Sequence, residues 1–233
     1  MVGLGLHNEM VACVAGRPDA RTGYLMNISE IDAAVRETVV PLLAQRISEG
    51  ATDSAERLLR ESLRVLEPRL APHLRGLRWN LTPYYWLTMN AAAPDRVLMT
   101  QSFEFAAAHR LHCDEFDAET NRRIFGKCNN PSGHGHNYRL EVSVEALLDA
   151  QGTSPFTLQS LERIVNETVI RRFDHKHLNM DTAEFANVNP SVENIARASH
   201  GLLEEPIRAA GARLARVTLW ETEKTSCSYP ADA

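Results

Sequence analysis

Two histidines separated by one glycine, His134-Gly135-His136, stand six residues after a cysteine in the stretch KCNNPSGHGHNYRLEVSVE (127–145). The apolar residues that follow alternate, which is the period of a half-buried strand. In a strand, residues i and i+2 point to the same face. His134 and His136 therefore project side by side, and Gly135 leaves room between them. A second alternating stretch, RVLMTQSFEFAAAH (96–109), ends in His109 and would pair antiparallel with the first across residues 110–133. Three imidazoles on one sheet face with a fourth position open are the donor set of a catalytic rather than a structural zinc site. Imidazole also suits copper, iron and nickel, so the spacing defines the ligands more sharply than the metal. Cys128 has two readings. A thiolate is a reactive group whose pKa falls beside a cation or metal, and a free cysteine is also a common small buried hydrophobe. Asp174-His175 is a third feature, since an aspartate beside a histidine can fix its tautomer and raise its basicity.

A lone His-x-His is more often a satisfied pair than a ligand pair. An internal repeat weighs against that here. Displaced by 130 positions, GLGLHNEMVACVAG (3–16) lies over GHGHNYRLEVSVEA (133–146) without a gap, and Glu37-Thr38-Val39-Val40 lies over Glu167-Thr168-Val169-Ile170. Displaced by 137, DSAERLLRESLRVLEP (53–68) lies over PSVENIARASHGLLEE (190–205). Leu4 and Leu6 thus stand where the second copy has its two histidines. The scaffold does not need histidine there, which points to chemistry.

The elements that must position these groups follow the same repeat. Residues 28–46 and 158–173 have apolar positions at helical spacing, with Ser29 as N-cap of the first. Residues 54–70 and 191–207 are amphipathic helices that begin at serine caps. Apolar-rich strands over 76–89 and 213–226 close the two halves. The predicted fold is α+β, two β-β-α-α-β-β modules in tandem, the first without its opening strand. The module boundary falls at Pro94-Asp95, giving residues 1–91 and 92–233.

Composition bounds the alternatives. The chain has 233 residues, 44% of them hydrophobic and 24% charged, with a formal net charge of -5. That is ordinary for a soluble globular protein and does not favour a nucleic-acid partner, which usually needs a basic face. The four cysteines form no CxxC pair, which fits a reducing, cytoplasmic setting. Residues 1–20 do not have the form of a signal peptide, and no apolar run reaches the ~18 residues of a membrane span.

FEFAAAHRL, IFGKCNNPSGHGHNY, FDHKHLNMD, VENIA and WETEKT, in that order over residues 97–229, resemble the 6-pyruvoyltetrahydropterin synthase family, which includes the 6-carboxytetrahydropterin synthases of queuosine biosynthesis. The resemblance implies the tunnelling fold, in which such modules assemble into a barrel with helices outside. It implies zinc held by His109, His134 and His136, and 7,8-dihydroneopterin triphosphate as substrate. It assigns proton abstraction to Cys128, a relay to Asp174 and His175, the pterin anchor to Glu221 and a second pterin contact to Glu193. Glu193 has a plain alternative as an acidic residue in the first turn of a helix, which the macrodipole favours. Arg110 and Lys127 flank the metal motif, where they either meet the triphosphate or are solvated. The Cys-x5-His-Gly-His spacing resembles pyruvoyl-forming members more than carboxy-forming ones. Cys13, Cys113, Cys227, His177 and His200 match no functional position. Residues 1–91 resemble the same fold without its chemical groups, which implies a structural role in a homo-oligomer, trimeric or hexameric. The competing reading is a pterin- or metal-binding scaffold without turnover.

Overall fold

The computed structural model describes residues 8–49 and 53–231. Leu4 and Leu6, the apolar counterparts of the two histidines, lie outside them. The elements are β1 (Glu9–Val14), α1 (Ile28–Ala34), α2 (Val40–Ser48), α3 (Ala55–Leu70), β2 (Leu74–Thr82), β3 (Tyr85–Asn90), β4 (Ala93–His109), α4 (Ala118–Phe125), β5 (His134–Leu147), α5 (Leu158–Val165), α6 (Arg171–Phe173), β6 (Lys176–His177), α7 (Leu178–Asp181), α8 (Val192–Ala209), β7 (Arg213–Thr222) and β8 (Thr225–Tyr229). They divide between two compact units. One runs to Met99 and takes in Glu145–Pro155; the other holds Thr100–Val144 and the residues from Phe156 on.

The class is α+β. Strand neighbours in the first unit run β1-β2-β3-β4 and in the second β4-β5-β7-β8, with the two-residue β6 parallel to the end of β4. The β1–β2, β2–β3 and β7–β8 pairs are antiparallel. Among the described residues, no helix is long and apolar enough to cross a membrane.

Both units carry the same local irregularities. A π turn at Val35–Val39 carries α1 into α2, and one at Asn166–Ile170 carries α5 into α6. Such single π turns are uncommon in helices, so their recurrence at matching positions is a shared structural mark. The first helix is capped by Asn27, not by Ser29: the Asn27 side chain accepts from the Ser29 backbone N–H at 3.0 Å. Asparagine caps as well as serine does, and Ser29 falls one residue inside the helix. Ser54 and Ser191 cap α3 and α8 as the sequence suggests.

The stretches expected as single closing strands, 76–89 and 213–226, are hairpins instead. In the first, apolar alternation runs through the turn and hides it; in the second, the turn residues Glu223-Lys224 include no glycine, proline or asparagine to mark it. In each, the residue before the turn is a threonine whose hydroxyl accepts the backbone N–H two residues on: Thr82 from Tyr84 at 3.1 Å and Thr222 from Lys224 at 3.2 Å. The register also slips at the matching places, Asn80/Thr82 and Trp220/Thr222. Pro94 and Asp95, expected at a module boundary, are exposed residues near the start of β4.

In the second unit the core is built on one face of β4 and β5. Tyr138, Leu140, Val142 and Val144 form a fully buried stripe. Phe105 stacks on Tyr138 with centroids 5.1 Å apart and meets Phe173 of α6 at 6.1 Å. His134 and His136 continue that stripe at the end of β5. The opposite face is polar, with hydroxyl pairs Thr100–Ser143 at 2.9 Å and Thr218–Ser228 at 2.8 Å. Removing either helix cap tests the assignment of α3 and α8: Ser54→Ala and Ser191→Ala should each lower the stability of their unit by about 1 kcal/mol in urea unfolding.

Candidate metal centre

The strand pattern brings His109, His134 and His136 together. One ring nitrogen from each lies within 4.8 Å of the others. The Nε2 atoms of His109 and His134 are 3.1 Å apart, and His109 is completely buried. A backbone carbonyl fixes the His109 tautomer. Its Nδ1 lies 2.7 Å from the oxygen of Pro190, which can only accept, so the proton sits on Nδ1 and Nε2 presents a lone pair to the cluster. The phenol of Tyr138 approaches the same Nδ1 at 3.3 Å. Burial holds His109 below the usual imidazole range, against the pull of the Pro190 carbonyl, and burial followed by the neighbouring His136 does the same for His134. Neutral imidazole is the form that binds metal. His134 Nδ1 and His136 Nε2 are buried without a hydrogen-bond partner. Buried orphan nitrogens beside bare lone pairs are what a cation would satisfy, so the donor set fits a divalent metal ion.

Glu221 and Cys128 reach the same centre. Glu221, on β7, places its Oε1 3.4 Å from His109 Nε2 and 3.6 Å from His136 Nε2. Burial first, and then the Glu221 carboxylate, push the Cys128 thiol up. Tyr138 is driven up by burial, by Glu221 and by Cys128. Cys128 lies in the 3-10 turn Gly126–Asn129. That turn is tied to the end of β4: Leu111 N–H donates to the Cys128 carbonyl at 2.8 Å, and the Asn129 side chain donates to the Leu111 carbonyl at 2.8 Å.

Asp174 and His175 stand at the edge of β4. The Ala106 N–H donates to Asp174 at 2.9 Å, and the His175 N–H donates to the Ala106 carbonyl at 2.6 Å. That bond from Ala106 is the main reason the Asp174 carboxyl stays below its ordinary range. His175 Nδ1 is 2.8 Å from Asp174 Oδ2. His175 has φ 57, the left-handed region that few non-glycine residues enter. His175 and His136 line one shallow cavity of about 540 Å³. Among the described residues, no hydrogen bond joins this pair to Cys128. Glu193 stands apart from the histidines: it is exposed in the first turn of α8, and its charge acts on Cys227.

The sequence model of 6-pyruvoyl tetrahydropterin synthase matches residues 98–232, a span that holds all eight candidate residues. The human 6-pyruvoyl tetrahydrobiopterin synthase is 34% identical over 134 residues, 58% of this chain and 91% of that protein. The chain belongs to the 6-pyruvoyl tetrahydropterin synthase family. The Dictyostelium discoideum 6-pyruvoyl tetrahydrobiopterin synthase is 35% identical over 100 residues, 43% of this chain and 73% of that protein. The solved Caenorhabditis elegans 6-pyruvoyl tetrahydropterin synthase superposes with a TM-score of 0.51 at 30% identity, covering 59% of this chain and 96% of that one. The family is one of lyases, and its match begins at residue 98, so residues before that lie outside it.

Several groups around this synthase-family centre escape motif reading. Tyr138 could have been found, since it is the next residue on the face of His134 and His136. The Pro190 carbonyl could not, because no side chain marks it. Asn121 is buried and closes the loop after β4: its side chain accepts from Cys113 N–H at 2.9 Å and donates to the carbonyls of Cys113, Phe116 and Asp117 at 2.9, 2.9 and 3.1 Å. His177 and His200, which match no functional position, are half-buried. Asn121→Ala removes the partner of the Cys113 N–H and the side-chain bond to the Phe116 carbonyl, while the Cys113 and Asp117 carbonyls keep their backbone bonds from Phe116 and Asn121. It should cost about 2–3 kcal/mol in chemical denaturation and open residues 110–131 to limited proteolysis.

Proposed function

We propose that the chain is a zinc-dependent pterin synthase acting on 7,8-dihydroneopterin triphosphate. The observation that carries this reading is the convergence of three imidazoles, a thiol and a carboxylate on one half-buried centre, in a member of this family. His109, His134 and His136 would hold the metal. When bound, a divalent ion supplies Lewis acidity toward the tail hydroxyls and a positive charge that opposes the upward shift of the Cys128 thiol.

The remaining roles fall to the protein. Glu221 anchors the pterin, because a carboxylate can accept two N–H bonds from an amino-pyrimidinone edge. Its position beside His109 and His136 sets a pterin held there so that the adjoining tail crosses the histidine cluster. Cys128 removes a proton from a tail carbon, and Asp174 with His175 passes protons onward. His175 is presented on its strained turn within the cavity that also holds His136. Glu193 makes a second pterin contact; its exposure means that this contact forms at the protein surface. The product is 6-pyruvoyl- or 6-carboxy-tetrahydropterin. The spacing of Cys128 to His134 and the names of the relatives support the pyruvoyl product.

Residues 1–91 form the degenerate module of the same reading, with 92–233 the catalytic one. The repeated π turns, serine caps and slipped hairpins support a tandem origin. By hairpin register Leu81 stands where Glu221 stands, and Ala44-Gln45 takes the place of Asp174-His175. Among the described residues, β1 and β8 each pair along one edge only, and open edges favour closure by further strands. Three or six copies closing a barrel in the cytoplasm complete the reading.

Purified protein should contain one zinc ion per chain by elemental analysis, and His134→Ala should lose it. Incubation with 7,8-dihydroneopterin triphosphate should yield one of the two products by mass spectrometry. Cys128→Ala should keep the metal and lose ~10²–10⁴-fold in turnover. Full turnover by Cys128→Ala would remove the proposed base, and metal and pterin binding with no turnover in the native chain would favour the scaffold reading.

A further inference from the structure

Three residues past His109, the half-buried His112 stands outside the histidine cluster. Its tautomer is fixed from both sides. Nδ1 lies 2.9 Å from the Asn129 side-chain amide and 3.2 Å from a terminal nitrogen of the Arg110 guanidinium. A guanidinium cannot accept a hydrogen bond. The Asn129 nitrogen is identified by its other contact, since it donates to the Leu111 carbonyl at 2.8 Å. Both neighbours of Nδ1 are therefore donors, so Nδ1 is the bare nitrogen and the proton sits on Nε2. That nitrogen faces Asp114, a fully exposed carboxylate 3.3 Å away.

Asn129 is the residue after Cys128. Its amide has two hydrogens, and both bind the segment after β4, one on Leu111 and the other on His112. Leu111 returns the contact by donating its N–H to the Cys128 carbonyl at 2.8 Å. Three bonds thus tie residues 111–112 to the turn Gly126–Asn129 that carries the thiol. Two of them end on main-chain atoms of Leu111, which almost any residue type supplies. The third needs an unprotonated acceptor side chain at position 112. The other side of this bridge is held by one loop. Asn189 accepts from the His112 N–H at 2.9 Å, and the carbonyl of the next residue, Pro190, takes the His109 Nδ1 proton at 2.7 Å. Asn179 pins Arg110 between them, accepting from its N–H at 2.8 Å and donating to its carbonyl at 2.9 Å. Metal-ligand candidate His109 and His112 are therefore placed by the same two-residue stretch, and His112 passes that placement on to Cys128.

We infer that His112, through its bare Nδ1, is a positioning residue for Cys128: it fixes the turn that holds the thiol relative to the histidine cluster. The catalytic consequence rests on the base assigned to Cys128 above; the bond pattern does not. Replacing His112 by leucine leaves one Asn129 hydrogen and one Arg110 hydrogen without this acceptor. Asparagine is the conservative variant, because its Oδ1 takes about the place of Nδ1 and can only accept.

The test uses the metal-loaded full-length protein, with metal content measured for each variant. Two readouts need no turnover. One is hydrogen exchange of the Leu111 amide, which the Cys128 carbonyl protects. The other is the alkylation rate of Cys128 by iodoacetamide, read by peptide mass spectrometry with the exposed Cys13 of the other unit as internal reference. His112→Leu should speed each by ~5-fold or more, the scale of one lost hydrogen bond, with metal content and Cys13 alkylation unchanged. His112→Asn should restore native rates. Turnover of 7,8-dihydroneopterin triphosphate should fall in His112→Leu and recover in His112→Asn. Should His112→Leu not fold, Asn129→Ala removes the same bond from its other side, together with the one to Leu111, and should speed both readouts at least as much. Native rates in His112→Leu overturn the assignment, because the bond then holds nothing. Rates in His112→Asn as fast as in His112→Leu also overturn it, because the imidazole then acts by packing alone. Faster exchange and alkylation with undiminished turnover overturns the positioning role. A native chain without turnover, in which His112→Leu still loosens the turn and His112→Asn still restores it, upholds His112 and removes the proposed activity alone.

Discussion

The contact on which the centre depends is the one between the Pro190 carbonyl and Nδ1 of His109, 2.7 Å long and fully buried. It decides which nitrogen of His109 carries the proton, and so which one faces His134 and His136. A carbonyl cannot donate, so the choice is not open to rearrangement. The carbonyl is itself braced. The Asn194 side chain donates to the Asn189 carbonyl at 2.9 Å, and the Ser191 N–H donates to the same oxygen at 2.8 Å. Ser191 then caps α8. The residue that starts a long core helix thus adjoins the one that sets a histidine tautomer, which couples the packing of α8 to the chemistry of β4.

The histidines occupy the end of a stripe that is otherwise core. Along β5, the positions 134, 136, 138, 140, 142 and 144 share one face, and the last four of them are buried apolar or aromatic residues. The strand needs no new geometry to hold a metal site, only a change of residue type at its end. The first unit shows the same economy in reverse. It keeps the π turn, the serine cap and the slipped hairpin, yet has Leu81 where the second hairpin has Glu221. Shape and chemistry are carried by separable sets of positions.

Much of this was legible in the sequence because it depends on short-range periodicity. The period of two along 134–144 placed both histidines on one face, and the helical stripes of 54–70 and 191–207 gave α3 and α8 with their caps. The hairpin at 76–89 is hidden because apolar alternation continues across Pro83-Tyr84, and the one at 213–226 because its turn, Glu223-Lys224, has no glycine, proline or asparagine to mark it. Ser29 was read as a cap because Asn27 two residues earlier offers the same chemistry. What periodicity could not supply was anything made by backbone or by distant loops: the Pro190 carbonyl, the Asn121 lock, and the donors that face His112. Glu221 was legible as a chemical residue from the family resemblance, but its place against the imidazoles was not, since that needs β7 seated beside β5.

The charges at the centre argue for its occupant. His109 and His134 are held below the usual imidazole range, chiefly by burial, while burial and then the Glu221 carboxylate push Cys128 and Tyr138 toward their protonated forms. On the proposed reading, the arrangement without a cation is self-defeating as a base: burial and the carboxylate assigned to the pterin both suppress the thiolate. On the proposed reading a divalent ion reverses that. A divalent ion held by His109, His134 and His136 would offset the negative charge of both Glu221 and a Cys128 thiolate. The same half-buried setting that raises the Cys128 pKa in isolation then strengthens its attraction to the cation, because low dielectric amplifies both signs of interaction.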